Sequence, residues 1–473
     1  MPACARVSFN GRTLASQANN VGSIPITRST SPQAVDFFEN NPANIPFYSP
    51  LHRGKWPRHG MSKDLHAKSL PGTSVHDVLA PAYVRAFQCQ GPLCPETCCA
   101  RWKVTVDKES FQAYRRITHP ELKPLFKQFL KQTDSASRNN HGVLGLKPDS
   151  GNCGLLDEAG WCRIQKNLGE QALCNTCFTY PRQTTRIDGQ MEQYLTLSCP
   201  EAARLALTMP QAFEFTVVQT ALRPNTVGRV QRANGYTSES VSAARLFAVQ
   251  LCQTEGLSLT EKFIALGWLC QQIDALTNAS QWDALEPLLS DMVLLVESGR
   301  LRDQANLLST DTTVGATIFA SLFIQIPHAT TSTLQEQVFE SVRVGLELNR
   351  VDGAPVDDCY HRGLELLAQD GGRSETALSR YLLNEVLREV FPWQESSCLA
   401  HFKKLVARYG VIRLMLAGTA AARQQPLDDD TIVRVVHVFA RRYLHSASFV
   451  GRVDDVLRQG GFVELSHLYA LLR

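Results

Sequence analysis

The sequence predicts a mainly α protein in which a small cysteine-rich domain is followed by a larger α-helical domain. Three observations carry this. Nine of the fourteen cysteines fall between positions 89 and 199, where even scatter would put about three or four. From position 258 onward, apolar residues recur at helical spacing over most of the chain. The apolar fraction of 44% over 473 residues is enough to bury cores in two or three domains and excludes disorder throughout.

Taken in order, residues 1–74 are rich in Ser, Asn, Pro and Arg, with runs such as Asn40-Asn41-Pro42-Ala43-Asn44, and predict a disordered N-terminal extension. Met61 lies near its end, and translation starting there rather than at Met1 is an expectation of the same reading. Residues 75–206 form the cysteine-rich domain, built of short elements punctuated by Gly, Pro and Cys. A strand is expected at Trp102-Lys103-Val104-Thr105-Val106, a helix over 110–130 despite Pro120 and Pro124, and a polar loop over 134–152. In such a domain metal is expected to substitute for apolar core.

The remainder, 207–473, reads as helical. Ser258-Leu259-Thr260-Glu261 is a capping-box signature before Phe263, Ile264, Leu266, Trp268, Leu269 and Ile273. Leu378, Leu382, Val386 and Val390 step by four, and Pro392 stops that helix. Residues 402–416 and 432–444 repeat the pattern.

Composition also excludes classes. A formal net charge of +3 with dispersed Lys and Arg gives no footprint for nucleic acid. No run approaches the roughly 18 to 20 uninterrupted apolar residues of a membrane-spanning helix, so no membrane insertion is expected. The N-terminus carries no secretory pattern, which favours the cytoplasm, a reducing compartment where clustered thiols hold metal or do redox chemistry rather than form disulfides.

Two local spacings in the cysteine group are those of ligands. Cys174-Asn175-Thr176-Cys177 is a C-x2-C pair, and Cys94-Pro95-Glu96-Thr97-Cys98-Cys99 is a compact knuckle. Cys94, Cys98, Cys99, Cys174 and Cys177 are therefore the first candidate ligands, and Cys89, Cys153, Cys162 and Cys199 complete the same site or a second one. Thiolates suit zinc and iron–sulfur clusters alike. Nine thiols exceed one zinc site, and only His119 and His141 lie in the interval; an iron–sulfur cluster of the 4Fe-4S type is favoured, with zinc as the alternative. Disulfide exchange is disfavoured, since the pair lacks an adjoining βαβ pattern. The isolated Cys252, Cys270, Cys359 and Cys398 read as core residues.

The blocks Ala86-Phe87-Gln88-Cys89 through Cys98-Cys99-Ala100-Arg101-Trp102-Lys103-Val104, then Leu168-Gly169-Glu170 through Cys174-Asn175-Thr176-Cys177-Phe178-Thr179-Tyr180-Pro181-Arg182, resemble the bacterial flagellin lysine-N-methylase family. Cys199-Pro200-Glu201-Ala202 and Tyr381-Leu382-Leu383-Asn384-Glu385 extend the likeness over about 77–473. The resemblance implies a cytoplasmic protein-lysine methyltransferase with a metal or iron–sulfur site, S-adenosylmethionine as methyl donor and flagellin as protein substrate. A non-enzymatic zinc- or iron-binding module that docks a protein through its helical half fits the residues without the family.

The implied chemistry needs a base, because a lysine ammonium with a pKa near ~10.4 has no free lone pair. Glu170 and Tyr180 flank the C-x2-C pair and Asp107 follows the expected strand; these are the catalytic candidates. Arg182 is the candidate for the S-adenosylmethionine carboxylate, since a guanidinium fork matches a carboxylate bidentately. Trp102 and Trp161 are expected to pack over the cysteine knuckle. No G-x-G motif announces a Rossmann site, and the radical spacing C-x3-C-x2-C is missing because Cys99 rather than a residue at position 101 follows Cys98. A cluster that chelates the methyl donor and a purely structural cluster both remain open.

Overall fold

The computed structural model describes residues 73–223, 225–230, 235–307, 312–325, 332–349, 355–444, 446–462 and 464–472. They fall into two compact units, one ending at Val230 and the other taking up the chain after it. Residues 1–72 of the expected extension, Met61 among them, lie outside the described residues; the chain enters its first strand at Ser74, the last residue of the expected extension.

The first unit is built on a five-stranded sheet. Strand β1 (Ser74–Pro81) leads into the short helix α1 (Ala82–Ala86), and β1 is flanked by β7 (Phe215–Leu222) and β6 (Gln190–Leu195). The pairing with β7 is antiparallel along the whole strand, from Ser74 opposite Leu222 to Pro81 opposite Phe215. Beyond β6 lie β5 (Arg182–Ile187) and β8 (Val227–Arg229). β5 and β6 are joined at Asp188-Gly189, both at positive φ (45° and 80°), the turn whose twist matches that of a hairpin. The sheet thus carries this unit to Val230 and corrects the boundary expected at 206/207: β7 and β8 pair back onto it, so residues 207–230 are not part of the helical unit.

A smaller sheet, order β2-β4-β3, is formed by β2 (Val104–Val106), β3 (Leu130–Gln132) and β4 (Gly142–Leu144). The expected strand is present from Val104 but does not include Trp102 and Lys103, and β4 lies inside the expected polar loop. The helix expected over 110–130 is two helices, α2 (Lys108–Arg115) and α3 (Leu122–Phe129). Pro120 explains the break, because it removes an N–H and disfavours helical backbone just before it, whereas Pro124 sits in the first turn of α3 where no donor is required. Nor does this region lack an apolar core: Val106, Leu122, Phe126 and Leu144 are at most 2% exposed, and cysteines pack onto them. Each such side chain contributes about 1.5–3 kcal/mol of burial, so the expectation that metal replaces the core is corrected.

The second unit is helical: α7 (Ser238–Gln253), α8 (Leu259–Ala279), α9 (Leu285–Glu297), α10 (Arg300–Leu307), α11 (Thr312–Ile324), α12 (Thr333–Gly345), α13 (Val356–Ala368), α14 (Arg373–Arg388), α15 (Cys398–Arg423), α16 (Asp429–Tyr443), α17 (Ala447–Gln459) and α18 (Leu465–Ala470). The capping box at Ser258 forms as expected, with Glu261 N–H donating to Ser258 Oγ (3.2 Å) and Ser258 N–H to Glu261 Oε2 (2.6 Å). Helix α14 ends at Arg388, before the Pro392 stop, and Val390 turns to positive φ.

Helix α15 runs through the middle of this unit. Among the described residues it is the helix long and apolar enough to cross a membrane, yet 83% of its most apolar window is buried inside the unit, as in a core helix. Asp274 of α8 caps its start, accepting from the N–H groups of Cys398 and Leu399 (2.9 Å each). Gly345 and Gly363 let α12 and α13 come so close that a Cβ on either would overlap the carbonyl oxygen of Gly418 or Ala417. Between α14 and α15, Glu385 and Glu389 meet Arg388, His401, Lys404 and Arg408 in a buried ionic network. Cys252, Cys270, Cys359 and Cys398 are buried, in keeping with their reading as core.

Candidate active site

All nine cysteines of the group belong to the first unit. Cys174 is the N-cap of α5 (Asn175–Thr179) and Cys177 lies one turn on, so the C-x2-C spacing puts both thiols at one end of one short helix. They hydrogen-bond to each other; that contact and Arg223 lower the pKa of Cys174 despite its burial, while the same contact and burial raise that of Cys177 well above the usual thiol range. Cys98 and Cys99 follow the single helical turn Gly91–Leu93, and the Cys99 carbonyl accepts from Cys153 N–H at 2.7 Å. A hydrogen bond donated to Cys98, burial, and the neighbouring Cys98, Cys162 and Cys153 push the Cys99 thiol far up. Burial raises Cys153 to about 11, with Cys162, Cys174 and Cys98 adding to it. Cys162, the N-cap of α4 (Arg163–Leu168), is raised by burial and by Cys98 and Cys174.

Six thiols from four chain segments thus lie close enough to oppose one another's ionisation. Cys199, the N-cap of α6 (Pro200–Thr208), is raised to about 12 by burial and then by Cys94 and Cys98, so Cys98 borders two groups. Cys89 is exposed in the loop after α1. Among the described residues no three Cys, His, Asp or Glu side chains are placed to hold a metal ion. Thiols are soft-metal donors, and ionising several of these together would require a cation among them, so they are the residues that could hold one.

Asp107 is the N-cap of α2, with Oδ1 accepting from Ser110 N–H (2.9 Å) and Oδ2 from Asn175 N–H (2.8 Å). One buried carboxylate therefore caps α2 and α5 together, and both its oxygens are engaged with backbone. Arg223, a residue that sequence reading did not single out, holds the same segment from the other side. Its guanidinium donates to the carbonyl oxygens of Leu173 (2.6 Å) and Gln171 (2.7 Å) and to Asn175 Oδ1 (3.2 Å), and lies over the Phe178 ring. No local pattern marks it, because it meets the cysteine pair only through the return of β7.

Tyr180 shares a hydrogen bond with Ser198 Oγ (3.3 Å) and tilts against the Trp102 ring. Trp102 packs against the cysteine-bearing core, as expected. The Trp161 ring instead covers Gly91, where a Cβ would lie 2.8 Å from it, ahead of the knuckle.

Glu170 and Arg182 come together. Glu170 opens the short turn Glu170–Ala172 after Gly169, and Arg182 is the first residue of β5. Arg182 Nη1 donates to Glu170 Oε1 at 3.0 Å, and its guanidinium sits 5.3 Å from the centre of the Phe87 ring. Both line a cavity of about 360 Å³ whose wall also includes Arg85, Phe178, Thr184 and Gln193. Its size is in the range of small-molecule sites, and it offers two guanidinium groups, one carboxylate and two aromatic rings. Tyr180 and Asp107 do not line it.

Residues 245–471 match the model of the FliB lysine N-methylase C-terminal domain. Over 412 residues the chain is 24% identical to a lysine-N-methylase of Salmonella choleraesuis, covering 83% of this chain and 98% of that one. The lysine-N-methylase of Salmonella typhimurium aligns to the same extent, at 24% identity over 412 residues. The flagellar biosynthetic protein FliU of Salmonella muenchen is 32% identical over 164 residues, 34% of this chain and 95% of that protein. No solved structure matches the chain.

Proposed function

The chain belongs to the FliB lysine N-methylase family, and from that premise we propose that it methylates lysine ε-amino groups of flagellin with S-adenosylmethionine, using an N-terminal unit that carries an iron–sulfur cluster. The observation that supports this reading best is the cavity where Glu170 and Arg182 face each other, since it joins an anchor for a carboxylate to a proton acceptor.

S-Adenosylmethionine supplies a methyl group made electrophilic by its sulfonium. Arg182 would bind its carboxylate, two N–H groups matching two oxygens. Glu170 would take a proton from the substrate ammonium, which has to become a neutral amine to act as a nucleophile. Phe87 and Phe178 give the cavity two apolar walls. Asp107 and Arg223 act at one remove, by fixing the segment that carries Glu170 and the C-x2-C pair.

The residues that would hold the cluster are Cys98, Cys99, Cys153, Cys162, Cys174 and Cys177, with Cys94 and Cys199 beside them. When bound, such a cluster supplies a soft cationic centre that makes the thiolate form favourable. A reducing cytoplasm suits thiols of this kind.

The test is methylation of purified flagellin by chain purified without oxygen, followed by intact mass. Flagellin that gains methyl mass only when S-adenosylmethionine is added supports the reading. An unchanged mass with cluster-loaded protein overturns it, and a colourless protein containing only zinc overturns the choice of iron.

A further inference from the structure

Arg182, the anchor assigned to an incoming carboxylate, is already held by a carboxylate of its own chain. Glu170 reaches it with Oε1, 3.0 Å from Nη1. The two side chains keep 44% and 27% of their exposure, so water screens the pair and it is readily exchanged. A ligand carboxylate has the stronger claim on the guanidinium, because it can accept from two N–H groups of the fork where Glu170 accepts from one. Glu170 opens the turn after Gly169, whose φ of 83° favours glycine, and its side chain is itself solvent-exposed, which leaves it room to swing away.

We propose that Glu170 is a built-in occupant of Arg182 which the carboxylate of S-adenosylmethionine displaces, so that Glu170 is released to serve the substrate lysine only after that ligand has bound. This rests on the reading of the cavity given above. Without ligand, Glu170 and Arg182 neutralise each other and the cavity holds little attraction for an ammonium ion. With ligand, the carboxylate neutralises Arg182, and Glu170 regains an unpaired negative charge beside the place the lysine enters. It then accepts one proton from the ammonium, leaving the amine with its lone pair. Cofactor binding and activation of the base become one event, and binding is ordered.

Equilibrium dialysis with the full chain tests this by binding alone. The ligands are S-adenosylmethionine and its decarboxylated analogue, and the proteins are wild type, Glu170→Gln, Glu170→Ala and Arg182→Met. Removing the internal competitor should tighten S-adenosylmethionine about two- to fivefold in both Glu170 variants, the range expected for an exposed ion pair, and leave the decarboxylated analogue unchanged. Arg182→Met should weaken S-adenosylmethionine at least about tenfold, an ion-paired hydrogen bond's worth, with little effect on the analogue. Wild type that binds S-adenosylmethionine while both Glu170 variants bind it no tighter overturns the exchange and leaves the cavity reading standing. Wild type that binds neither ligand overturns both. Melting temperatures of the variants should match wild type, since the pair is at the surface.

Discussion

Arg223 lies with its guanidinium 3.9 Å from the centre of the Phe178 ring while donating to the carbonyl oxygens of Leu173 and Gln171. One side chain from the end of β7 thus sets the start of α5. Replacing it with Met leaves buried carbonyls without donors, which costs about 2–4 kcal/mol. The urea midpoint of tryptophan fluorescence should fall accordingly for Arg223→Met, and Arg223→Lys should recover only part of the loss, because an ammonium cannot bridge both carbonyls as a planar fork does. A midpoint that does not move would show this contact to be inert.

The close approach of α12 and α13 to α15 makes a second prediction. Gly345→Ala and Gly363→Ala put a methyl group into backbone of α15, and each should cost about 3 kcal/mol or more through overpacking. Gly451→Ala, within α17 and with nothing near its Cβ position, should instead stabilise by about 0.5–1 kcal/mol through helix propensity. Thermal melts of the three variants followed by circular dichroism check the opposite signs.

The network between α14 and α15 predicts a pH dependence. Burial works against the charge of Glu389, but Arg408, Arg388, a hydrogen bond from His401, and Lys404 outweigh it and hold the carboxyl well below the usual range. A depressed folded pKa contributes stability that is present above the unfolded value, near ~4.3, and is lost as pH falls towards the folded one. Helical stability should therefore be insensitive to this group from neutral pH down to about 5 and decline below that. Glu389→Gln should remove that part of the slope and destabilise at pH 7 by about 3–5 kcal/mol, since it strands buried cations. Denaturation midpoints at a series of pH values read both effects.

For the proposed cluster, iron content and visible absorbance of protein purified without oxygen distinguish the cysteines. Cys98→Ser, Cys99→Ser, Cys174→Ser and Cys177→Ser should each lose most of the iron, whereas exposed Cys89→Ser and the core position Cys398→Ser should keep it. Chelation of the iron should restore reactivity of these thiols towards maleimide. Equal iron in Cys98→Ser and wild type would place the ligands elsewhere.

The helices were legible because their signals are local: a four-residue step from Leu378, a capping box at Ser258, a Pro at 392. The larger sheet was not, because β1 finds its partner in β7, far along the chain, and no pattern within either strand names the other. The Asp188-Gly189 turn between two short polar-apolar strands was a readable hairpin signal that helix-directed reading passed over. Around the site, composition identified the thiols, and neighbourhood to the C-x2-C pair identified Glu170 and Arg182 without revealing that they meet. Asp107 was read for its acidity, although its place ahead of Ser110 also fits an N-cap, and that is how the fold uses it. Arg223 could not have been found, since its importance is created by tertiary return alone.

The pairing of Ser74 with Leu222 also sets an order of events during synthesis. Every cysteine of the group, through Cys199, leaves the ribosome before β7 does. The first strand can meet β6 earlier, but its full-length antiparallel pairing is completed only with that late partner, after all the thiols have been made. A chain cut short before β7 would offer the same thiols on a sheet that lacks the antiparallel partner of β1.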